Sequence, residues 1–231
     1  MSDKKVKIIV TIEFNSRSNG ISRTKEWIDY RMDIFNKFTL QSLKKQTNQN
    51  FLALVRYAEK TEDLINNALS KYKSLPSNIN FIRNKEHEDI INASIVGYDY
   101  LYLVRLDCDD MYHKTFIQQL HEYKPKKETR VLVNQKGYVY DSINNRLGNW
   151  YYVSPPFYTL IYKVTDYQNG YRIPIPRGHC TVIRNPHEVI NKTNYTVVVH
   201  EKNTLNKFDN HRVGNAIKDK TTIKNILNNF M

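Results

Sequence analysis

The sequence predicts an α/β protein, a three-layer α/β/α sandwich around a mixed, mostly parallel central sheet. Three observations carry this expectation. Apolar runs of strand length alternate with amphipathic segments over the first half of the chain, the pattern that βαβ units leave. One run, Tyr100–Leu106 (YLYLVRL), is apolar almost throughout, as a central strand covered on both faces should be. Later, short strand-like runs follow one another around turn residues, which adds mixed pairing.

Taken in order, Val6–Ile12 (VKIIVTI) reads as a buried parallel strand. Tyr30–Gln46 carries Ile34, Phe35, Phe38 and Leu43 near one face, so it reads as one amphipathic helix. Phe51–Tyr57 is the second strand, and Thr61 caps a helix that runs to about Lys71. Ile79–Arg83 is the third strand and Glu86–Val96 a weaker helix. Tyr100–Leu106 is the fourth strand, and a helix restarts over His113–Tyr123. Val131–Val133, Tyr138–Tyr140 and Trp150–Val153 read as strands around turns at Lys136-Gly137 and Asn144-Asn145. Ser154–Pro176 is rich in Pro and aromatics. Tyr195–His200 is the last strand and Asn215–Asn229 a closing helix.

Composition limits the function classes. The 231 residues are 40% hydrophobic and 25% charged, which excludes a disordered tail or a fibre. No apolar run reaches the roughly 18–20 residues that a bilayer span needs. The N-terminal apolar run is too short for a signal sequence, so a cytoplasmic protein is expected and the sequons at Asn92, Asn191 and Asn194 carry no weight. Cys108 and Cys180 make neither a disulfide framework nor a metal cluster. Lys and Arg number 35 against 23 Asp and Glu, a net charge of +12. That balance favours anionic partners, whether nucleic acid, acidic lipid or phosphorylated small molecules. No G-x-x-x-x-G-K-[ST] or G-x-S-x-G segment is present, which disfavours a P-loop kinase and an α/β-hydrolase.

The chemistry concentrates at the end of the fourth strand. Asp107, Asp109 and Asp110 crowd three carboxylates into four positions, a repulsive arrangement unless a cation or donors neutralise it. Ligand sites of open α/β sheets lie at the carboxyl ends of strands. Asp107 and Asp109 can both face one ion, and Mg²⁺ or Mn²⁺ typically takes one or two carboxylates and fills its shell with water and phosphate oxygens. Arg105 adds a cation suited to a phosphate or to holding an aspartate in place. The competing structural explanation is that Asp109 or Asp110 caps the helix near His113.

The segment LVRLDCDDMYHKTF resembles the metal-binding segment of GT-A glycosyltransferases, and the chain is similar to the bacterial putative rhamnosyltransferase group of that superfamily. TIEFN at Thr11–Asn15, the stretch Phe35–Val55 and VVVHEKNT at Val197–Thr204 resemble the group in the same order. The resemblance implies a GT-A-like single domain over 1–231, with 1–125 the nucleotide-sugar half and 126–231 the acceptor-side half. It implies a transferase that takes a sugar from a nucleotide-diphosphate donor with Mn²⁺ or Mg²⁺. Thr11, Glu13 and Phe14 would contact the nucleoside base. Asp107 would lie near the ribose or the metal, Asp109 would be the main metal ligand, and Asp110 would reach the donor sugar or cap a helix. A late histidine often supplies a third ligand, and His200 fits that place, with His179 second. An imidazole ligand favours Mn²⁺. The sequence departs from the group at Glu13, where a basic residue is expected, and at Cys108, where a small polar residue is common.

Further candidates are less anchored. An inverting enzyme needs a carboxylate to deprotonate the acceptor hydroxyl. Asp166 is preferred for that role over Asp141. The aromatics and prolines of Ser154–Tyr162 suit either a sugar platform or a core strand with a stiff entry, and the core is the expected use. His87, His113, His121, His187 and His211 are expected at the surface. Glu122-Tyr123-Lys124 would suit a metal-dependent nuclease only on a strand beside the aspartates. The alternative to a transferase is therefore a protein that binds or cleaves nucleic acid. A transferase with a polyanionic acceptor, such as DNA or teichoic acid, would combine the two readings.

Overall fold

The computed structural model describes residues 4–16, 20–203, 208, 213, 214 and 216–231. The first half alternates as expected. Strand β1 (Val6–Glu13) leads through helices α1 (Lys25–Lys37) and α2 (Thr39–Lys44) to β2 (Leu52–Tyr57). Then follow α3 (Glu62–Leu69), β3 (Ile79–Arg83), α4 (His87–Ser94) and β4 (Tyr100–Asp107). After β4 come β5 (Met111–Tyr112), α5 (Phe116–Glu122), β6 (Val131–Val133), β7 (Lys136–Asp141), β8 (Arg146–Tyr151) and β9 (Tyr158–Lys163). The chain closes with α6 (Val164–Gln168), β10 (His187–Val189), β11 (Thr193–Val199) and α7 (Lys220–Leu227). None of the described helices is long and apolar enough to cross a membrane.

The central sheet has seven strands in the order β10-β6-β9-β4-β1-β2-β3, with β4 in the middle. Every strand but β9 runs the same way, because β9 pairs antiparallel with both β4 and β6. Alternation along the strands divides two cores. Ile8, Val10, Ile12, Val104 and Leu106 join one core with α1, α3 and α5. Ile9, Leu54 and Leu101 join another with Ile91 and Tyr167, on the opposite face. This is the expected three-layer α/β sandwich. A second sheet, ordered β5-β11-β7-β8, lies over the first face. A third core joins it to α7 through Leu147, Val198, Ile223 and Phe230, and to α1 through Ile34.

Several expected elements shift for identifiable reasons. The single helix over Tyr30–Gln46 is two helices, starting earlier at an N-cap where Thr24 accepts from Trp27 N. It breaks at Phe38 (φ −117°, ψ −71°), whose ring is fully buried. The second piece is held by tertiary bonds: Thr39 Oγ1 donates to Asp110 O and Ser42 Oγ to Tyr112 O. The helix expected from His113 begins only at Phe116, because Met111 and Tyr112 pair with Thr196 and Tyr195. Lys136-Gly137 is strand rather than turn. A Cβ on Gly137 would stand 2.3 Å from the Tyr195 ring, so the glycine admits that ring. Asn144-Asn145 is the turn, with Asn145 at φ 46°.

Ser154–Tyr162 belongs to the core, as expected. Phe157 is buried and stacks on Tyr195 at 3.8 Å. Burial of such a ring contributes about 1.5–3 kcal/mol. His87 is also buried rather than at the surface, and His211 lies outside the described residues.

Candidate active site

The carboxyl ends of β1, β2 and β4 form a polar edge. Glu13 is in register with Asp107 on one side and Arg56 on the other, and Arg56 lies 3.6 Å from the Glu13 carboxylate. Asp107 accepts an ion pair from Arg105 Nη2 at 2.8 Å. Arg105 is itself held because its Nη1 donates to Pro156 O at 2.8 Å. Burial raises the Asp107 pKa, and the Arg105 guanidinium offsets part of that rise. Two positions back on β1, Thr11 Oγ1 lies 3.2 Å from His87 Nε2.

Asp109 is the centre of the constellation. Its Oδ2 receives Arg31 Nη1 at 2.6 Å and faces His200 Nε2 at 3.2 Å. Burial pushes this carboxyl up, but His200 and Arg31 outweigh it and hold the pKa below the ordinary value. His200 follows the end of β11 and is buried. Its other ring nitrogen, Nδ1, lies 2.8 Å from the Tyr30 hydroxyl. Arg31 stacks 5.1 Å from the Trp27 ring. Helix α1 therefore supplies Tyr30 and Arg31 to the site, and the sequence reading missed both. A helix surface bearing several basic residues gives no local sign of which one turns inward.

Asp110 has a different role from the one expected. It is 1% exposed, and its Oδ1 accepts from Val198 N at 3.0 Å. It does not cap α5, whose N-cap is Thr115, and its carboxyl is buried against β11 rather than exposed at the edge of the sheet. Instead it ties the acidic loop to β11, two residues before His200. Burial, followed by the charges of Asp109 and Asp107, raises its pKa well above the ordinary value. Burial also raises the Cys108 pKa, which keeps the thiol protonated.

Other expected site residues fall elsewhere. Phe14 packs edge-on against Trp27 and Phe81 in the core, so its ring is unavailable to a nucleoside. Asp166 lies on α6, past the end of β9, and Lys163 of that strand is in register with Tyr100 at the start of β4. The seven residues from there to Asp107 span about 23 Å of strand. Asp166 is therefore at the opposite edge of the sheet, because β9 runs backwards and carries the chain away from the site. Asp141 is consumed in the β7–β8 turn, where it accepts from Ile143 N, Asn144 N and Arg146 Nε. His179 lies against Tyr152, not Asp109. Glu122 ends α5, so Glu122-Tyr123-Lys124 has no strand to present it as a nuclease core would need.

Residues 15–215 match the family described as "Putative rhamnosyl transferase". The chain belongs to that family. The matched span includes the acidic segment and His200. No curated protein matches the chain. Similar solved structures include S. aureus TarS 1–349 in complex with UDP, at 13% identity and TM-score 0.45, covering 84% of this chain and 60% of that one. S. aureus TarS 1–349 also occurs at 14% identity and TM-score 0.43, covering 83% and 60%. A cytidylyltransferase from Leptospira borgpetersenii is similar at 13% identity and TM-score 0.37, covering 83% and 77%. The chain thus spans about 60% of the TarS 1–349 structures.

Proposed function

We propose that this rhamnosyl transferase family member moves a hexosyl group from a nucleotide-diphosphate donor to an acceptor hydroxyl, with a divalent cation, Mn²⁺ or Mg²⁺. The observation that carries the reading is the meeting of Asp109 and His200 at 3.2 Å beside Asp107, on the carboxyl edge of the central strand.

The donor set fits such a cation. Asp109 Oδ2 and His200 Nε2 would hold such a cation in place of the contact they make with each other. Among the described residues no three His, Cys, Asp or Glu side chains are grouped to hold a metal ion, so Asp107, Asp109 and His200 do not form the three-ligand set that was expected, and substrate phosphates would have to complete a cation's shell. When bound, the cation supplies Lewis-acid neutralisation of the charge that develops on the leaving diphosphate.

The chain's own residues supply the rest. Tyr30 fixes the ring of His200 through Nδ1, the outer-shell role that orients a ligating imidazole. Arg105 holds Asp107 toward the ribose or the ion. Thr11 and Glu13 stand on the neighbouring strand, where a nucleoside would lie. The +12 charge favours a polyanionic acceptor.

The test is nucleotide-release activity, together with stabilisation by nucleoside diphosphates and Mn²⁺, in the wild type and Asp109→Asn. The amide keeps the shape of the side chain and removes its charge. Loss of both activity and ligand-induced stabilisation is expected in a variant that still melts cooperatively, at a lower temperature because Arg31 loses its ion-pair partner. Full turnover by Asp109→Asn, or indifference to a chelator, overturns the reading.

A further inference from the structure

The metal reading leaves Arg31 unexplained. Its Nη1 donates to the same Asp109 oxygen that faces His200. A carboxylate oxygen has two lone pairs, and in this structure Arg31 and His200 face them both. The pair is shielded, with side chains 16% and 13% exposed. A guanidinium stays charged in a protein, so the site already holds a cation on its main ligand. Its Nε is buried without a hydrogen-bond partner among the described residues, a donor that an oxyanion would satisfy.

We propose that Arg31 is a resident counter-ion for Asp109, which keeps a divalent cation out until a nucleoside diphosphate arrives with it. The inference rests on the metal reading above. A cation that takes Asp109 Oδ2 and His200 Nε2 must displace the guanidinium and then sit near it. Without new negative charge, that sets two further positive charges beside a guanidinium that Asp109 neutralises, since Asp107 is already paired with Arg105. A diphosphate removes the conflict: its oxygens share the ion, and the released Arg31 turns its fork, including the unspent Nε, to them. Cation and nucleotide then enter together. Neither the family's acidic motif nor the late histidine requires this coupling; it follows from one arginine on α1.

Mn²⁺ binding, read from the loss of the free-ion paramagnetic resonance signal, tests the proposal without any turnover. Wild type, Arg31→Gln and Arg31→Met are titrated alone and with UDP, GDP, CDP and dTDP. The Met variant keeps an unbranched stem against Trp27, and thermal melts select the variants that remain folded. The wild type is expected to bind Mn²⁺ weakly alone and much more tightly with a matching nucleotide. Both variants are expected to bind Mn²⁺ alone at least about tenfold more tightly than the wild type, the scale expected on removing a like charge a few ångströms away. The nucleotide's enhancement of Mn²⁺ binding should shrink in them. Wild-type Mn²⁺ affinity that is independent of nucleotide, or variants no tighter than wild type, overturns the role of Arg31 and leaves the metal reading standing. No Mn²⁺ binding by the wild type with any of the four nucleotides overturns both.

Discussion

Asp109 and His200 are 91 residues apart in sequence and meet at 3.2 Å. Each is delivered by a different sheet, Asp109 just past central β4 and His200 just past β11. The join between the sheets is made by Asp110, whose buried carboxyl accepts from Val198 N. Asp109 pairs with Arg31 and His200, while Asp110 fixes the strand that brings the histidine.

Tyr30→Phe isolates the support of that histidine. The ring stays, and only the hydroxyl at His200 Nδ1 and its contact with Lys202 N are lost. Loss of such an outer-shell partner typically costs about 10–100-fold in metal affinity or activity. We expect a fall of that size in nucleotide-dependent Mn²⁺ affinity, with a melting temperature within a few degrees of wild type. An unchanged Mn²⁺ affinity would remove His200 from the metal site.

Asp166→Asn tests the correction made by topology. The residue lies at the far edge of the sheet from Asp107, so turnover should equal that of the wild type in a sugar-transfer or nucleotide-release assay. A drop of tenfold or more would mean that α6 acts in catalysis despite about 23 Å of intervening strand.

Asp141 offers a pH-dependent prediction. Burial raises its pKa, but Asn144, Arg146 and two backbone N–H groups prevail and hold it below 3.8. A depressed folded-state value contributes stability that is fully present above the unfolded value and lost as pH falls through the folded one. Asp141→Ala should therefore destabilise by about 2–4 kcal/mol at neutral pH. The gap should narrow in the acid range below about 3.8, where the wild type loses the same charge. Urea melts at pH 7 and at about pH 3 measure both. Ser142 N and Oγ also donate to Val199 O, so a loosened turn should lower activity through His200 as well.

The parts of this molecule that were legible in sequence are those written locally. Ile79–Arg83 and Val131–Val133 have their expected bounds, because a short apolar run bounded by polar residues admits few other uses. Asp107 and Asp109 are legible because strand and acidic loop are contiguous. Tyr30 and Arg31 are not, since only the docking of α1 against the loop selects them from a helix of similar polar residues. The break at Phe38 is set by bonds from Thr39 and Ser42 to residues some 70 positions away. Asp166 misled for a related reason: the reversal of β9 is a pairing choice that Tyr158–Lys163 does not encode by itself.

The charge balance gives the last prediction. The chain carries +12, and several of its basic groups lie around the site. Lys202 Nζ stands 4.5 Å from the Tyr30 ring, Arg56 lies beside Glu13, and Arg83 is half-exposed on the neighbouring strand. A polyanionic acceptor crossing this rim would release condensed counterions, and its apparent affinity would fall steeply between about 50 and 200 mM salt. A neutral sugar acceptor has no counterions to release and would show almost no slope. The measurement is the acceptor KM at two ionic strengths with donor saturating, in wild type and Lys202→Gln. A polyanionic acceptor predicts a KM that rises at least about tenfold with salt, and a shallower rise in the variant. The rise should be in KM rather than kcat, because the rim attracts the acceptor before any bond is broken. A flat response in both proteins would reduce the +12 to a property of the solvated surface, and DNA or teichoic acid would then be dropped as acceptors.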